Sequence, residues 1–408
     1  MVSGSNNYVM PGEFEPQSAI WLGWPTFQWF SDPALDTRPS LGTIAKTLSD
    51  YEVKTNIMCG TTEGVMDAQH WLTENGFPIS SLMNFLAIDQ VDIWVRDYGP
   101  IFLIDRSSEK RAIAGYRQNQ WGYSTPTDPV SERMTKLPRA VFDYLNLDDF
   151  LSTEIISEGG DRIQNGQGVV LVDRAVEYGR NPDLSQDDLE AAYKSTLGAT
   201  KIIWLNSGVR EDLHTDWGPI PYPDSSGDTI LLYGPQTTGG HLDEFCRFFS
   251  PNQILLAQVS EQEAATDPIA AVNYTILADA YRVLSNSTDQ DGNPFEIRRI
   301  PTPSVQYRLI QPTEAMYSQF LAKLKYSGDA PVFPDGKPVY IVRSSSYANF
   351  LVTNGLVIAP KYGDSDKDSE AHQALSEAFP NRDIVQIDPT PINYAGGGIH
   401  CITQQQPA

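Results

Sequence analysis

The chain has 408 residues and a formal charge of −23, from 52 acidic against 29 basic side chains. Such a surface repels nucleic acid and acidic membranes, favours cationic ligands and keeps a protein soluble. Hydrophobic residues at 40% and charged residues at 20% exclude global disorder, and no apolar run approaches the ~18 residues a membrane helix needs.

Short apolar strands alternate with amphipathic helices from end to end. Strands are predicted at 19–22, 101–104, 169–172, 202–205, 230–233, 254–259, 339–342 and 355–360. Several are unbroken apolar runs, the pattern of strands buried on both faces. Between them, Leu41, Ile44, Ala45 and Leu48 share a helix face, and Ser185 with Asp188 opens a helix that ends near Gly198. A helix from Thr313 carries Met316, Phe320, Leu321 and Leu324; another carries Leu375 and Phe379 and stops at Pro380. The alternation argues an α/β fold, and no Gly-, Ser- or Pro-rich linker divides it, so residues 1–408 read as one domain. The least helical stretch, about 212–240, reads as a long loop or hairpin insertion.

Three cysteines, Cys59, Cys246 and Cys401, are too few for a disulfide scaffold and form no CxxC zinc pair. Cys59 and Cys246 read as buried thiols. The chemistry-bearing stretches are four. Gly396-Gly-Gly-Ile-His-Cys401 gives a thiol room for a ligand beside it. Gly239-Gly-His-Leu-Asp-Glu244 sets His241 and Asp243 on one side if extended, fitting an acid/base and a cation-binding acid, or two metal ligands. In Asp92-Ile-Trp-Val-Arg-Asp-Tyr-Gly-Pro100, Arg96 and Asp97 face opposite ways on a strand, one structural and one toward a pocket. Ser157-Glu-Gly-Gly-Asp161 leads a carboxylate, Glu158, into a turn. Carboxylates crowded about a thiol suppress its ionisation unless the substrate brings positive charge, and a guanidinium does so with a planar N–H fork that matches paired acids.

These motifs, with Met10-Pro-Gly-Glu-Phe-Glu-Pro16, Trp21-Leu-Gly-Trp-Pro25, Ser346-Tyr-Ala-Asn-Phe350, Tyr362-Gly-Asp364 and Gly398-Ile-His-Cys-Ile-Thr-Gln-Gln-Gln-Pro407, resemble the agmatine deiminase and Porphyromonas-type peptidylarginine deiminase family of guanidino-group-modifying enzymes. The resemblance implies a five-bladed α/β-propeller (pentein) of ββαβ modules. It implies Cys401 as nucleophile, His241 as acid/base, Glu158 orienting His241, Asp97 and Asp243 gripping the guanidinium, and Asn349 lining the pocket. No organic cofactor or catalytic metal is implied. The partner is a cationic guanidinium substrate, with no nucleic acid and no membrane; the sequence specifies no oligomeric state.

Substrate choice divides the family. Trp121-Gly122, Glu158 and the C-terminal Gln run resemble the agmatine enzymes, whereas Trp94-Val-Arg-Asp-Tyr98 resembles the peptidyl ones. Arg117 is the one cation in 116–122, where some peptidyl enzymes hold a C-terminal carboxylate with an Arg-x-Arg pair, so it is a substrate-binding candidate that argues against a preference for C-terminal arginine; Trp121 and Trp217 either flank an alkyl chain or pack in the core. The stretch 212–240, just before His241, fits a rim rebuilt for a polymer. Two sequons, at Asn273 and Asn286, fit secretion of a mature form, the N-terminus carrying no signal-peptide core. The 212–240 stretch, the sequons and the acidic surface favour an extracellular protein-arginine deiminase producing citrulline; the alternative is a cytoplasmic agmatine deiminase producing N-carbamoylputrescine. An amidinotransferase or a non-catalytic arginine binder is more remote. Asp289, Asp291 and Asn293, followed by Glu296, form a candidate structural calcium loop, and Asp364-Ser-Asp-Lys-Asp-Ser-Glu370 is a second.

Overall fold

The computed structural model describes residues 7–25, 36–213, 219–234, 237–314, 317 and 336–408. It is a mixed α/β fold in which one local plan recurs five times. In each case a middle strand pairs antiparallel with the strand before it and parallel with the strand after it. The sheets are Thr403–Pro407 with Gln17–Gly23 and Thr55–Met58; Ile101–Asp105 with Arg111–Arg117 and Asp149–Ile156; Arg162–Gln164 with Val169–Asp173 and Lys201–Leu205; Cys246–Ser250 with Gln253–Gln258 and Glu296–Pro301; and Leu351–Thr353 with Leu356–Pro360 and Asp383–Ile387. Met83–Leu86 extends the first sheet and Tyr8–Val9 the second. The first sheet joins the two ends of the chain, because its outer strand is the last one.

Parallel neighbours need a crossover, and helices supply it. Arg38–Asp50, Pro129–Leu145, Gln186–Leu197, Pro268–Ser285 and Ser365–Ala378 each return the chain across one sheet. Local chemistry sets their ends. Ser185 and Asp188 make a reciprocal capping box, and Gly198 closes that helix in the left-handed region at φ +66°. Strands covered by these helices are buried along their whole length, as in Val169–Asp173 and Leu356–Pro360. This matches the unbroken apolar runs. The predicted strands and the three helices within the described residues are present; the helix expected from Thr313 lies largely outside them.

Among the described residues, the stretch 212–240 holds a hairpin. Its hairpin, Ile220–Pro223 and Thr229–Tyr233, pairs in parallel through Leu232 and Tyr233 with Val339–Val342, which pairs with Tyr307–Ile310. The excursions before and after the fourth module therefore build a sixth sheet, packed through Leu232 and Val342 on Ile269 of the helix Pro268–Ser285. Among the described residues no helix is long and apolar enough to cross a membrane.

All three cysteines are free and buried. Asn273 is 3% exposed; its amide donates to Glu211 and its carbonyl accepts from Arg210 N–H. That sequon is closed to glycosylation in the folded chain, whereas Asn286 is exposed at a helix C-terminus. The acids of the two calcium candidates make local hydrogen bonds. The Asp289 oxygens accept from the backbone N–H groups of Asp291 and Asn293 and from the Asn293 amide. Asp364 caps the helix Ser365–Ala378, and Asp368 accepts from Tyr347, Tyr362 and Gly363.

Candidate active site

The predicted residues converge because each stands immediately before the first strand of a module. Asp97 precedes Ile101–Asp105, Glu158 precedes Arg162–Gln164, and His241 with Asp243 precedes Cys246–Ser250. Asn349 precedes Leu351–Thr353, and Cys401 precedes Thr403–Pro407. Five equivalent loop ends thus deliver one side chain or two each to a common centre.

Local geometry differs from the extended segments expected. Val95–Tyr98 is a single helical turn, not a strand; it sends Arg96 toward Glu13 and Asp97 toward the centre. Leu242–Glu244 is a 3₁₀ turn with His241 at its start, so His241 and Asp243 converge through the turn. Asp212 moulds that approach. One of its oxygens accepts from Gly240 N–H, His241 N–H and the Thr238 hydroxyl.

Glu158 lies 3.4 Å from His241 Nε2, and the other imidazole nitrogen lies 3.5 Å from Asp97 Oδ1. Asp97 accepts from Gly160 N–H at 2.9 Å and from the Trp121 indole at 2.8 Å. Trp121 is brought there by a strained turn, Gln120 and Trp121 both holding φ +55°. Cys401 Sγ sits 3.5 Å from Asp243 Oδ2, 3.2 Å from the Asn349 amide nitrogen and 3.3 Å from Gly398 N–H. Among the described residues, Asp243 Oδ1 is buried without a hydrogen-bond partner. Gly160 backs the group so closely that a Cβ there would stand 2.6 Å from His241 Nδ1, 2.9 Å from Asp97 Oδ1 and 3.0 Å from Asp243 Oδ2.

The electrostatics of this centre suit a cation. Burial and the charges of Asp243, Glu244 and Asp97 push the Cys401 thiol well above its ordinary value. Burial alone would lower His241, but Asp97, Glu158 and Asp243 raise it to about 9. Burial would raise Glu158, yet Arg180 and His241 bring it down to about 2. Arg180 donates to both Glu158 oxygens, at 2.8 and 3.1 Å. Nothing in the local sequence announced Arg180 or Asp212, and Asp92 stood at the head of its motif without a role.

A cavity of about 330 Å³ leads to Cys401, at the small end of ligand pockets. Its walls are Val91, Asp92, Trp94, Asp97, Gln120, Trp121, Tyr123, Val130, Thr237, Thr238, Ala395, Gly396, Gly397 and Cys401, with no basic side chain among the described residues. Arg117 is not part of this lining; it pairs with Glu154 at 2.9 Å on the exposed surface, so it is not positioned to take a substrate carboxylate. Trp217 lies outside the described residues. Asp92 replaces them as the notable wall residue. Burial, opposed by the Trp94 N–H and reinforced by Asp97, pushes its carboxyl up to about 7. Asp243, Glu244 and Cys401 are close enough to share a cation. Burial and the charges of Asp212, Asp243 and Glu211 push the Glu244 carboxyl well above its ordinary value, whereas metal ligation needs the deprotonated form.

A thiol, an acidic pair and a protonated imidazole beneath a cation-accepting cavity match the chemistry of guanidino-group hydrolases, and the sequence comparisons agree. The profile of the Porphyromonas-type peptidyl-arginine deiminase family matches residues 9–217 and 229–407, so the chain belongs to that family. It is a deiminase, a hydrolase of guanidino C–N bonds. Agmatine deiminase of Medicago truncatula is 29% identical over 99% of this chain and 97% of its own length. Agmatine deiminase of Stutzerimonas stutzeri is 29% identical over 99% and 96%. The solved agmatine deiminase of Enterococcus faecalis superposes with a TM-score of 0.74 at 25% identity, covering 100% of this chain and 98% of that one.

Proposed function

We propose that this enzyme hydrolyses agmatine to N-carbamoylputrescine and ammonia through a covalent intermediate on Cys401. The observation that carries the reading is the cavity itself, which is small, has no basic side chain among its described lining residues, and carries Asp97 beside Cys401 and a second acid, Asp92, on its wall. Agmatine is a guanidinium and an ammonium joined by four methylenes. The apolar walls of Trp94, Trp121, Val91 and Val130 suit the methylenes, and Asp92 supplies the counter-ion for the ammonium.

The guanidinium enters with its N–H groups against Asp97 and the unpartnered oxygen of Asp243. Its positive charge, next to protonated His241, favours the Cys401 thiolate that the empty site suppresses, the thiol proton passing to solvent, where the released ammonia takes it up as ammonium. Sulfur adds to the guanidinium carbon, forming C–S and converting C=N to an amine. His241 delivers its proton to one nitrogen, the C–N bond breaks and ammonia leaves an S-alkylthiouronium. Neutral His241 then takes a proton from water as the oxygen adds to that carbon. Collapse breaks C–S, gives the ureido product and returns the proton inventory to the thiol and imidazole. Asp97, Asp243 and Glu158 stabilise each cationic stage by fixed charge. The five sheets of common plan, with site residues before each first strand, support reading the whole as a closed five-bladed propeller around this centre.

The peptidylarginine reading leaned on the 212–240 stretch, two sequons and the acidic surface. The hairpin pairs into a sheet, Asn273 is buried and Arg117 lies off the cavity, while the full-length relatives are agmatine deiminases. With those supports weakened, a cytoplasmic enzyme of amine metabolism is the simpler assignment. Incubation with agmatine, free arginine and an internal-arginine peptide tests it, reading ammonia and ureido product. Agmatine turnover with silent peptide is expected; peptide turnover without agmatine turnover refutes the assignment.

A further inference from the structure

The N-terminal motif Met10–Pro16 and the histidine preceding Cys401 have no part in the reaction above, yet they meet beneath it. Glu13, from that motif, accepts from Arg96 at 3.0 Å, from Arg247 and from Gln405 at 3.3 Å. Its oxygens also lie 2.9 and 3.1 Å from His400 Nε2. The opposite nitrogen of that ring, Nδ1, lies 2.7 Å from Asp243 Oδ2. His400 is wholly buried, and its backbone N–H fixes the Asn349 carbonyl at 2.8 Å, so that the Asn349 amide faces Cys401.

We propose that Glu13 and His400 are positioning residues: Glu13 sets the His400 ring, and His400 engages Asp243 Oδ2 so that Oδ1 is left free for the guanidinium. The inference rests on the proposed function, since it concerns how that site holds its cation. The orphaned Oδ1 is its structural mark. An unheld carboxylate would rotate to satisfy both oxygens internally, because a buried acceptor without a partner is costly. The surroundings also need His400. Arg247, Arg96 and His241 face Asp243 as cations, whereas Asp97, Asp212, Glu244 and the Cys401 thiol face it on the acidic side. Burial would raise its carboxyl; the hydrogen bond and charge of His400 lead the interactions that lower it instead.

The test is binding of agmatine to Cys401→Ala enzyme by calorimetry across pH, alone and with His400→Leu or His400→Asn added. Asn offers an N–H near the place of Nδ1, and Leu offers none. His400→Leu is expected to weaken binding about 10-fold at neutral pH and to move the acidic loss of binding upward by about one pH unit, a tenfold change per unit. His400→Asn is expected to restore most of the affinity. Parental affinity and pH dependence in both variants, with lowered melting temperatures alone, would reduce His400 to a structural residue and overturn the proposal. A Cys401→Ala parent that binds no agmatine would instead remove the proposed function and with it the ligand Asp243 is held for.

Discussion

Gly160→Ala isolates the precision of the centre from its composition, because it changes no functional group. Gly160 does not occupy the left-handed region, so alanine meets no backbone penalty there, and its N–H still reaches Asp97. Its new Cβ, however, would lie 2.6 Å from His241 Nδ1, where ordinary contact begins at 3.4 Å. Roughly 0.8 Å of movement is required, shared with Asp97 and Asp243 at 2.9 and 3.0 Å; displacements near 1 Å cost on the order of 100-fold in rate. Overpacking adds about 1–3 kcal/mol of destabilisation, insufficient to unfold a domain of ordinary stability. Steady-state ammonia release with agmatine should therefore fall about 100-fold in kcat while circular dichroism stays native. A kcat within about threefold of wild type would refute the argument that these three groups must be held so closely.

Asp92→Asn should raise KM for agmatine about 10-fold, from loss of a charge-assisted contact. It should leave N-butylguanidine, which lacks the ammonium, nearly unchanged; equal effects on both would refute an ammonium site. The acid limb of kcat/KM for agmatine should fall below about pH 7, where Asp92 protonates, and that limb should disappear in the variant. Arg180→Met leaves Glu158 buried without its cation, a change worth about 3–5 kcal/mol; it should lower kcat about 100-fold and the melting temperature together, with partial rescue by Arg180→Lys. His241 is raised from 6.5 to about 9, so its stabilisation is full below about pH 6.5 and lost as pH rises through about 9. The melting temperature should decline across that window, and His241→Asn should flatten the decline; parallel curves would refute the shift.

Much of the molecule is legible in its sequence. Unbroken apolar runs located strands buried on both faces, and the Ser185/Asp188 box located a helix, because both are local consequences of pattern. Cys401, His241, Glu158, Asp97, Asp243, Asn349 and Trp121 were legible as motifs and meet at one centre. What was not legible is non-local. Arg180 resembles any helix arginine until Glu158 is seen beside it, and the pairing of 229–233 with 339–342 spans too much chain for spacing to reveal. Extended readings of Asp97 and His241 failed because two short turns override the alternation that strands would impose. The Asn273 sequon had a readable warning. Ile269, Asn273, Leu277, Ala280 and Leu284 recur at helical spacing, which places Asn273 on the buried face of Pro268–Ser285.

The central claim is that Cys401 carries the amidino carbon between ammonia loss and water attack. Rapid acid quenching of enzyme with excess agmatine, followed by intact and peptide mass spectrometry, tests it directly. The account predicts a transient mass gain equal to agmatine less ammonia, mapped to Cys401 and absent from Cys401→Ala. Turnover of agmatine by Cys401→Ala, or an adduct on any other residue, would contradict it.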